Sequence, residues 1–155
     1  MRLELAGTQE IEAPAAVVWK HLIDHEFVGG AAPGLESVAE IDAEHFRVVA
    51  GLGVGSIKLR FTLQVALFDL EAPRNLKISV KGDAPGSAMR AEAQVSLVQA
   101  GQRSTRLDWA LTSDVHGTIA SIGARMLQGT VRRLTESFWK KFAKRVTARR
   151  KRKKA

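Results

Sequence analysis

The stretch GTIASIGARMLQGTVRRLTESFWKKF, residues 117–142, decides the fold. Its apolar side chains recur every three or four residues, the period of an amphipathic helix: Ile119, Ile122, Met126, Val131, Leu134, Phe138 and Phe142. The other side is mainly basic and carries Arg125, Arg132, Arg133, Lys140 and Lys141. The pattern predicts one helix from Thr118 to about Val146, which at ~1.5 Å per residue is roughly 43 Å long. A helix of that length crosses a whole sheet.

Upstream of this helix, the pattern is typical of successive strands. In IKLRFTLQVALFDL, residues 57–70, apolar and polar residues alternate, so one face of the strand is expected to be buried and the other solvated. Four further stretches, separated by turn-rich pieces, are typical of an antiparallel meander: residues 45–51, 75–82, 88–98 and 104–115.

The N-terminal segment precedes this meander. Apolar residues alternate with glutamates from Leu3 to Ile11 and predict a first strand, which Pro14 ends. Residues 14–30 predict one or two short helices that two glycines end. We therefore expect an α+β domain over residues 1–146. It consists of a curved antiparallel sheet of about seven strands, two short helices after the first strand, and the long C-terminal helix in the concave face.

The composition fits one globular domain of 155 residues, 45% of them hydrophobic. The chain has no cysteine, which excludes thiol catalysis, disulfides and cysteine-ligated metal sites. Its first residues include glutamates where a secretion signal has an apolar core, and no run of eighteen apolar residues occurs. We expect a cytoplasmic protein that does not cross a membrane by itself.

The net charge of +8 comes from the C-terminal end of the chain. Residues 140–155 contain ten of the 24 basic residues and no acidic residue, which leaves the rest of the chain near −2. These basic residues are Lys140, Lys141, Lys144, Arg145, Arg149, Arg150, Lys151, Arg152, Lys153 and Lys154. We expect residues 147–155 to form a disordered polybasic tail that adds little to stability, and the rest of the chain to have no basic face.

The histidines are the first candidates for chemistry. His21 and His25 lie four residues apart, a spacing that places two imidazoles on one helix face and suits a metal ion. The zinc-protease pattern needs Glu directly after the first His, and Leu22 stands there, so we expect exposed histidines at a helix end instead. His116 has no Ser or Cys nucleophile in a recognisable setting beside it, which predicts a loop residue.

Two other patterns are better explained by structure than by binding or catalysis. GLGVGS, residues 51–56, has the glycines of a phosphate loop, but it precedes a strand rather than a helix and so predicts a hairpin turn. Carboxylate pairs such as Glu10 with Glu12, or Glu40 with Asp42, alternate outward on predicted strands, where solvated roles are expected. We therefore expect no catalytic residue and no metal site.

The order of the elements resembles the helix-grip, or START-like, superfamily, and the motifs resemble its carbon monoxide dehydrogenase G-subunit family. The resemblance extends from about Leu3 to Phe142 and rests on the order of several motifs rather than on one specific motif. The motifs are Pro14 with Val18, Trp19, Leu22 and Asp24; Pro33-Gly34 with Glu36, Ser37 and Val38; Gly55, Ile57, Lys58 and Phe61; Lys81-Gly82 with Gly86-Ser87; Thr105-Arg106-Leu107; and residues 117–142, with a glycine before the helix, a second glycine and an aromatic pair near the end.

The resemblance implies a non-catalytic accessory protein. Members of that family are associated with the maturation or membrane recruitment of molybdenum hydroxylases of the carbon monoxide dehydrogenase type. They have also been linked to a lipophilic quinone bound beneath the long helix. The resemblance therefore implies a bound quinone or other lipophilic molecule, no other cofactor, and a position at the cytoplasmic membrane surface.

Small residues between sheet and helix are relevant to such a cavity. On AMRAEAQVSLV, residues 88–98, the middle inward positions are Ala91 and Ala93, and Gly123 and Gly129 lie opposite on the predicted helix. Small residues permit either a cavity or a close approach of helix and sheet, and the resemblance favours the cavity. The residues expected to line it are Phe61, Leu63, Met89, Ala91, Ala93, Trp109, Leu111, Ile122, Gly123 and Met126.

The basic tail suits more than one partner. Each Lys or Arg near an anionic bilayer contributes about 1 kcal/mol, and Trp139, Phe142 and Val146 among the charges suit a membrane interface. A protein partner is the first alternative. Nucleic acid offers the same attraction through its phosphates but is the weaker alternative, since no basic face is expected on the rest of the chain. A helix-grip enzyme similar to polyketide cyclases remains, and it requires an ionisable group that points into the cavity.

Overall fold

The computed structural model of the chain describes residues 1–54 and 56–154, without the side chains of Val54 and residues 151–154. The strands in this part of the chain are β1 (Arg2–Ile11), β2 (Leu35–Glu40), β3 (His45–Val54), β4 (Ile57–Glu71), β5 (Asn75–Ala84), β6 (Ser87–Gly101) and β7 (Ser104–Gly117). The helices are α1 (Ala15–Leu22), α2 (His25–Gly29), a 3-10 helix (Thr118–Ile122) and α3 (Ala124–Lys154).

These strands form one antiparallel sheet in the order β1-β7-β6-β5-β4-β3-β2. Strands β2 to β7 follow one another as neighbours, whereas β1 pairs with β7, for example Leu5 with Leu111. The register shifts near Ser37, Glu71 and Gly101, and such bulges bend a sheet. The predicted architecture, a curved antiparallel sheet with a long C-terminal helix, is confirmed.

The β3–β4 connection follows the predicted hairpin as far as the structure describes it. Val54 pairs with Ile57, so two residues join the strands. Gly55, one of these two residues and part of the motif named above, lies outside the described residues. The pairing places the glycine-rich stretch at a strand end and not before a helix, as the sequence predicts.

The inner face of the sheet follows the alternation of the sequence. In β4, Phe61, Val65 and Leu67 are buried, while Lys58 and Arg60 are exposed. Strand pairing aligns inward residues into rows across the sheet, and one row contains Val65, Val80, Ala91, Ser113 and Leu3. This inner face is the floor beneath α3.

The two short helices pack against β2, β6 and β7. The Asp24 side chain accepts a 3.2 Å hydrogen bond from the backbone N–H of Phe27, which stabilises the start of α2. His21 and His25 are both buried, with His21 stacked on Phe27 and His25 stacked on Phe46. The prediction of exposed histidines is therefore wrong, because both rings lie on the packed side of these helices.

The α3 helix begins later than predicted, at Ala124 rather than Thr118. Gly123 has a φ of 104°, a left-handed conformation that separates the 3-10 helix from α3. This break changes the rotational phase, because a 3-10 turn has about 3.0 residues and an α turn about 3.6. As a result Leu127 is buried against the sheet, while Met126 is 54% exposed.

The α3 helix also continues about two turns beyond its predicted end, to Lys154. Ala, Arg and Lys favour helix, and cations interact favourably with the C-terminal end of the helix dipole. Arg149 lies over the Phe27 ring at 5.7 Å from its centre, and Arg150 donates a 3.2 Å hydrogen bond to the Glu12 carbonyl. The expected disordered tail is therefore helical through Lys154.

Two apolar clusters hold α3 against the rest of the fold. The C-terminal cluster contains Trp139, Phe142 and Val146, packed with α1, α2 and the sheet. The N-terminal cluster contains Leu127 of α3 with Leu3, Phe61, Val115 and Ile119. The helix is thus anchored near both of its ends.

Candidate ligand cavity and basic face

The middle of the concave face is less well covered than its two ends. Between the two clusters, the inward side chains are only half-buried: Leu63, Ile78, Val80, Ala91, Ala93 and Leu111 of the sheet, with Val131 and Phe138 of α3. A close-packed interface would bury them fully, because protein interiors contain few voids. The α3 helix approaches β1 more closely than the central strands. This arrangement leaves an apolar space under the middle of α3.

The structure divides the predicted lining residues into three groups. Phe61 and Trp109 are buried, at 2% and 3% exposure, and belong to the two clusters. The half-buried residues are Leu63, Met89, Ala91, Ala93, Leu111, Ile122 and Gly123. Met126 points to solvent, so its assignment to the cavity is wrong. The break at Gly123 turns Met126 outward and Leu127 inward.

The small residues contribute unequally to the space. A Cβ atom on Gly82 would lie 2.7 Å from Met89 Cγ, so that side chain already fills the gap. Gly129 is exposed, and a Cβ atom there would meet no atom within 4 Å, so Gly129 does not face the sheet as predicted. The room under the helix therefore comes mainly from Ala91 and Ala93.

Two buried hydroxyl groups lie on the same inner surface and were missed by the sequence analysis. Ser113 of β7 is 2% exposed, and Thr130 of α3 is 5% exposed. The alternation along β7 places Ser113 on the same face as Trp109 and Leu111, so the sequence contained the signal for it. Thr130 follows Leu127 by three residues, and identifying it required the phase of α3 after the break.

The convex face of the sheet has a different character. A depression of about 760 Å³ is open to solvent there, with a mostly polar and charged lining that includes Arg2, Glu4, Ser79, Lys81, Arg90, Glu92, Gln94, Thr112 and Asp114. Arg2 and Glu4 form a 3.1 Å ion pair within it. Such a surface favours water over an apolar molecule. The candidate site is therefore the concave face.

The solvent side of α3 is basic along most of its described length. Exposed cations occur at Arg125, Arg132, Arg133, Lys140, Lys141, Lys144 and Arg149, with Glu136 among them. We refer to these seven cationic residues as the basic face. Three of them precede Lys140, so the expectation that the positive charge is confined to the C-terminal end is wrong. No described helix combines the length and apolar character that spanning a bilayer requires.

Two of the residues predicted to bind a membrane make contacts within the fold. Arg145 Nη1 donates a 2.7 Å hydrogen bond to the Phe27 carbonyl, and its guanidinium carbon lies 4.6 Å from the centre of the Phe27 ring. Arg150 binds the Glu12 carbonyl. Lys140, Lys141, Lys144 and Arg149 are exposed as predicted. The side chains of Lys151, Arg152, Lys153 and Lys154 lie outside the described part of the chain.

The described residues contain no group of His, Asp and Glu arranged to hold a metal ion. His25 Nδ1 lies 3.3 Å from Glu40 Oε1, but without hydrogen-bond geometry, and neither ring nitrogen of His25 has a hydrogen-bond partner among the described residues. The His21 ring centre lies 4.2 Å from that of Phe27. Each imidazole is thus packed against an aromatic ring.

Two ionisable groups with displaced pKa values lie on the outer surface. The hydrogen bond to the His45 ring, 2.7 Å long, lowers the pKa of Asp42. Two 2.8 Å hydrogen bonds from Arg60 to Glu36 raise the pKa of Arg60. Both pairs are exposed ion pairs, which perturb pKa values without marking a catalytic site.

Three solved structures are similar to the chain over nearly its whole length. A conserved protein from Geobacillus kaustophilus is 25% identical, with a TM-score of 0.87 and coverage of 94% of this chain and 96% of that one. The Zhui aromatase/cyclase from Streptomyces sp. R1128 is 18% identical, with a TM-score of 0.70 and coverage of 96% of both chains. A START superfamily protein from Mycobacterium smegmatis is 16% identical, with a TM-score of 0.70 and coverage of 94% and 97%. The last two likenesses concern the fold alone.

The family comparison is more specific than the structural one. No curated protein matches the sequence. The carbon monoxide dehydrogenase G-subunit family (CoxG) matches residues 7–147, which include most of β1, the rest of the sheet and α3 as far as one residue beyond Val146. The match therefore includes the concave floor, both apolar clusters and most of the basic face. The chain belongs to the CoxG family of carbon monoxide dehydrogenase and has its START-like fold.

Proposed function

We propose that this chain is a non-catalytic accessory protein that binds a lipophilic molecule in the space under α3. The observation that carries the proposal is the set of half-buried apolar side chains between the two clusters, including Ala91, Ala93 and Leu111. Removing apolar surface from water is favourable by about 25 cal/mol per Å². An apolar ligand in this space would therefore be stabilised by surface that the fold itself leaves uncovered.

A lipid or an isoprenoid quinone fits this space better than a charged metabolite. Along described strands β4 to β7, the residues on the inner face carry apolar side chains and hydroxyl groups, without an ionisable side chain among them. A charged ligand would lose its hydration there without gaining an opposite charge. The quinone is the ligand that the family resemblance favours, and we propose no further cofactor.

The basic face of α3 supports a second part of the proposal, peripheral docking at the cytoplasmic membrane surface. If half of its seven exposed cations engage an anionic bilayer, the attraction is roughly 3–4 kcal/mol at about 1 kcal/mol each. Attraction of this size is reversible and is weakened by salt. The protein would then meet the membrane along the side of a helix and not through its C-terminal end alone.

The family supports a molybdenum hydroxylase of the carbon monoxide dehydrogenase type as the protein partner. We propose that the chain serves such an enzyme in its maturation or in its recruitment to the membrane. Affinity purification of the tagged protein from its native cells tests this partner. Enrichment of the hydroxylase over a tagged control protein is expected, and its absence would remove the partner from the proposal.

A cyclase-like enzyme is the alternative from another functional class. The Zhui aromatase/cyclase has a similar fold at 18% identity, a likeness that does not extend to chemistry. A triple replacement of His21, His25 and His116 by Gln separates the two functions. A triple variant that folds and loses its biological activity would favour the enzyme, whereas retained activity would favour the accessory protein.

The cavity is tested by filling it. Ala91→Phe places a large side chain on the inner face of β6, whereas Ala110→Phe places the same side chain on the exposed outer face of β7. We expect menadione, a small quinone, to bind wild-type protein and Ala110→Phe equally in equilibrium dialysis. Ala91→Phe should bind about tenfold more weakly or not at all, a loss of about 1.4 kcal/mol or more.

Two results would reject the cavity. The first is equal binding of menadione by all three proteins. The second is a wild-type protein that neither binds menadione nor releases a lipophilic molecule into organic solvent, as judged by mass spectrometry.

Membrane docking is tested by sedimentation with vesicles that contain phosphatidylglycerol. Vesicles of phosphatidylcholine alone and duplex DNA serve as comparisons at the same ionic strength. We expect binding to the anionic vesicles at low salt, release as salt is added, and weaker binding to both comparisons. Tighter binding to DNA than to anionic vesicles would favour the nucleic-acid alternative.

A further inference from the structure

Ser113 is a polar residue in the middle of an apolar floor. It lies on β7, paired with Ala91 on one side and with Leu3 on the other. Its exposure is 2%, and its hydroxyl makes no hydrogen bond to any described residue. A buried hydroxyl without a partner is unfavourable, so this position needs an explanation.

Other buried hydroxyl groups of the same sheet have partners. Thr105 donates a 2.7 Å hydrogen bond to the Ala13 carbonyl, and Ser87 accepts a 3.1 Å hydrogen bond from the Ile119 backbone N–H. Each of these bonds ties the sheet to a neighbouring segment. Ser113 forms no such tie, so its hydroxyl has no structural role of this kind within the described chain.

A second buried hydroxyl faces the same region from above. Thr130 is 5% exposed and lies three residues beyond Leu127, on the side of α3 that faces the sheet. Leu127 packs in the N-terminal cluster with Leu3, the strand neighbour of Ser113. The Thr130 hydroxyl likewise makes no hydrogen bond to a described residue, although Thr135 of the same helix bonds back to the Val131 carbonyl at 2.8 Å.

We propose that Ser113 and Thr130 form the polar end of the cavity and bind a neutral carbonyl or hydroxyl group of an otherwise apolar ligand. The inference rests on the proposed function, since it needs a ligand under α3. A hydroxyl both donates and accepts, so it suits an uncharged oxygen and gives little compensation to a full charge. The small side chain of Ala91 beside Ser113 leaves room for that end of the ligand. The apolar remainder then lies along Ala93 and Leu111.

Two probes with the same carbon skeleton test the inference. Menadione carries two carbonyl groups on a methylnaphthalene ring system, and methylnaphthalene lacks them. Equilibrium dialysis with detection by ultraviolet absorption measures both, and the cysteine-free chain offers no thiol to react with the quinone. Ser113→Ala and Thr130→Val remove the two hydroxyl groups with little change of shape. Ser137→Ala, on the exposed side of α3, is the matched control.

We expect Ser113→Ala and Thr130→Val each to weaken menadione binding by about three- to tenfold, the range for loss of one neutral hydrogen bond. Methylnaphthalene should bind both variants as tightly as it binds wild type, and Ser137→Ala should leave both probes unaffected. Selectivity for menadione that is unchanged in both variants would overturn the inference while leaving the cavity in place. Equal weakening of both probes would mean that the residues only shape the site, which also overturns the inference. Failure of wild-type protein to bind either probe would overturn the cavity as well.

Discussion

The interaction between Arg145 and α2 makes a sharp prediction, because the neighbouring residue is a natural control. Arg145 donates a 2.7 Å hydrogen bond to the Phe27 carbonyl and lies over the Phe27 ring, whereas Lys144 is exposed on the basic face. A Cβ atom on Gly30 would overlap the Arg145 guanidinium, so the absence of a side chain there makes room for it. We expect Arg145→Ala to reduce stability and Lys144→Ala to reduce membrane binding.

The magnitudes follow from these contacts. A hydrogen bond from a charged donor contributes about 1.5–3 kcal/mol, and a cation–π contact about 0.5–1 kcal/mol at a partly exposed site. Because these contributions overlap, we expect Arg145→Ala to lower the free energy of unfolding by about 2–3 kcal/mol. For a chain of this length, that loss lowers the melting temperature by about 5–10 °C. Lys144→Ala should change stability by less than about 0.5 kcal/mol.

Thermal unfolding followed by circular dichroism and vesicle sedimentation separate the two effects. Lys144→Ala should weaken binding to phosphatidylglycerol vesicles by about fivefold, the equivalent of about 1 kcal/mol. Arg145→Ala, measured below its melting transition, should weaken that binding less than Lys144→Ala does. A melting temperature of Arg145→Ala equal to that of wild type would refute the role assigned to the Phe27 contact. A larger loss of vesicle binding in Arg145→Ala than in Lys144→Ala would return Arg145 to the membrane surface.

Three further predictions concern the helix end, a histidine and a glycine. Truncation after Val146 removes the Arg150 hydrogen bond and should lower the free energy of unfolding by about 1–2 kcal/mol in urea denaturation; an unchanged midpoint would mean that the last two turns add nothing. His25→Phe removes two unpartnered buried ring nitrogens and should raise the melting temperature by about 2–4 °C, whereas a fall would indicate a bonded imidazole. Gly7→Ala should cost about 1–3 kcal/mol, since its Cβ would lie 2.6 Å from the Trp109 ring, and a neutral effect would mean that the ring moves freely.

Much of the sheet could be predicted from local sequence, because strand periodicity reports directly on burial. The alternation through Phe61, Val65 and Leu67 predicts which face of β4 is buried, and pairing with neighbouring strands preserves it. The same rule places Ala91 and Ala93 on the inner face. These predictions required only that each strand stay regular across the sheet.

The parts that failed depend on single backbone angles or on distant contacts. The left-handed φ of Gly123 sets the phase of α3, and a helix drawn through that glycine places Met126 on the wrong side. The burial of His25 depends on Phe46, 21 residues away. The contact of Arg145 with Phe27 joins residues separated by 118 positions. No periodicity within one element reports on such pairs.

The pairing of β1 with β7 has a consequence for the order of events during protein synthesis. Leu5 pairs in register with Leu111, and the N-terminal amino group donates a 3.0 Å hydrogen bond to the Val115 carbonyl. At about 5–20 residues per second, the ribosome needs roughly 5–20 s to add the hundred or so residues that separate these partners. During that interval the apolar side of the first strand has no neighbour, and the nascent chain depends on chaperones or transient contacts to keep Leu3, Leu5 and Ile11 from aggregating.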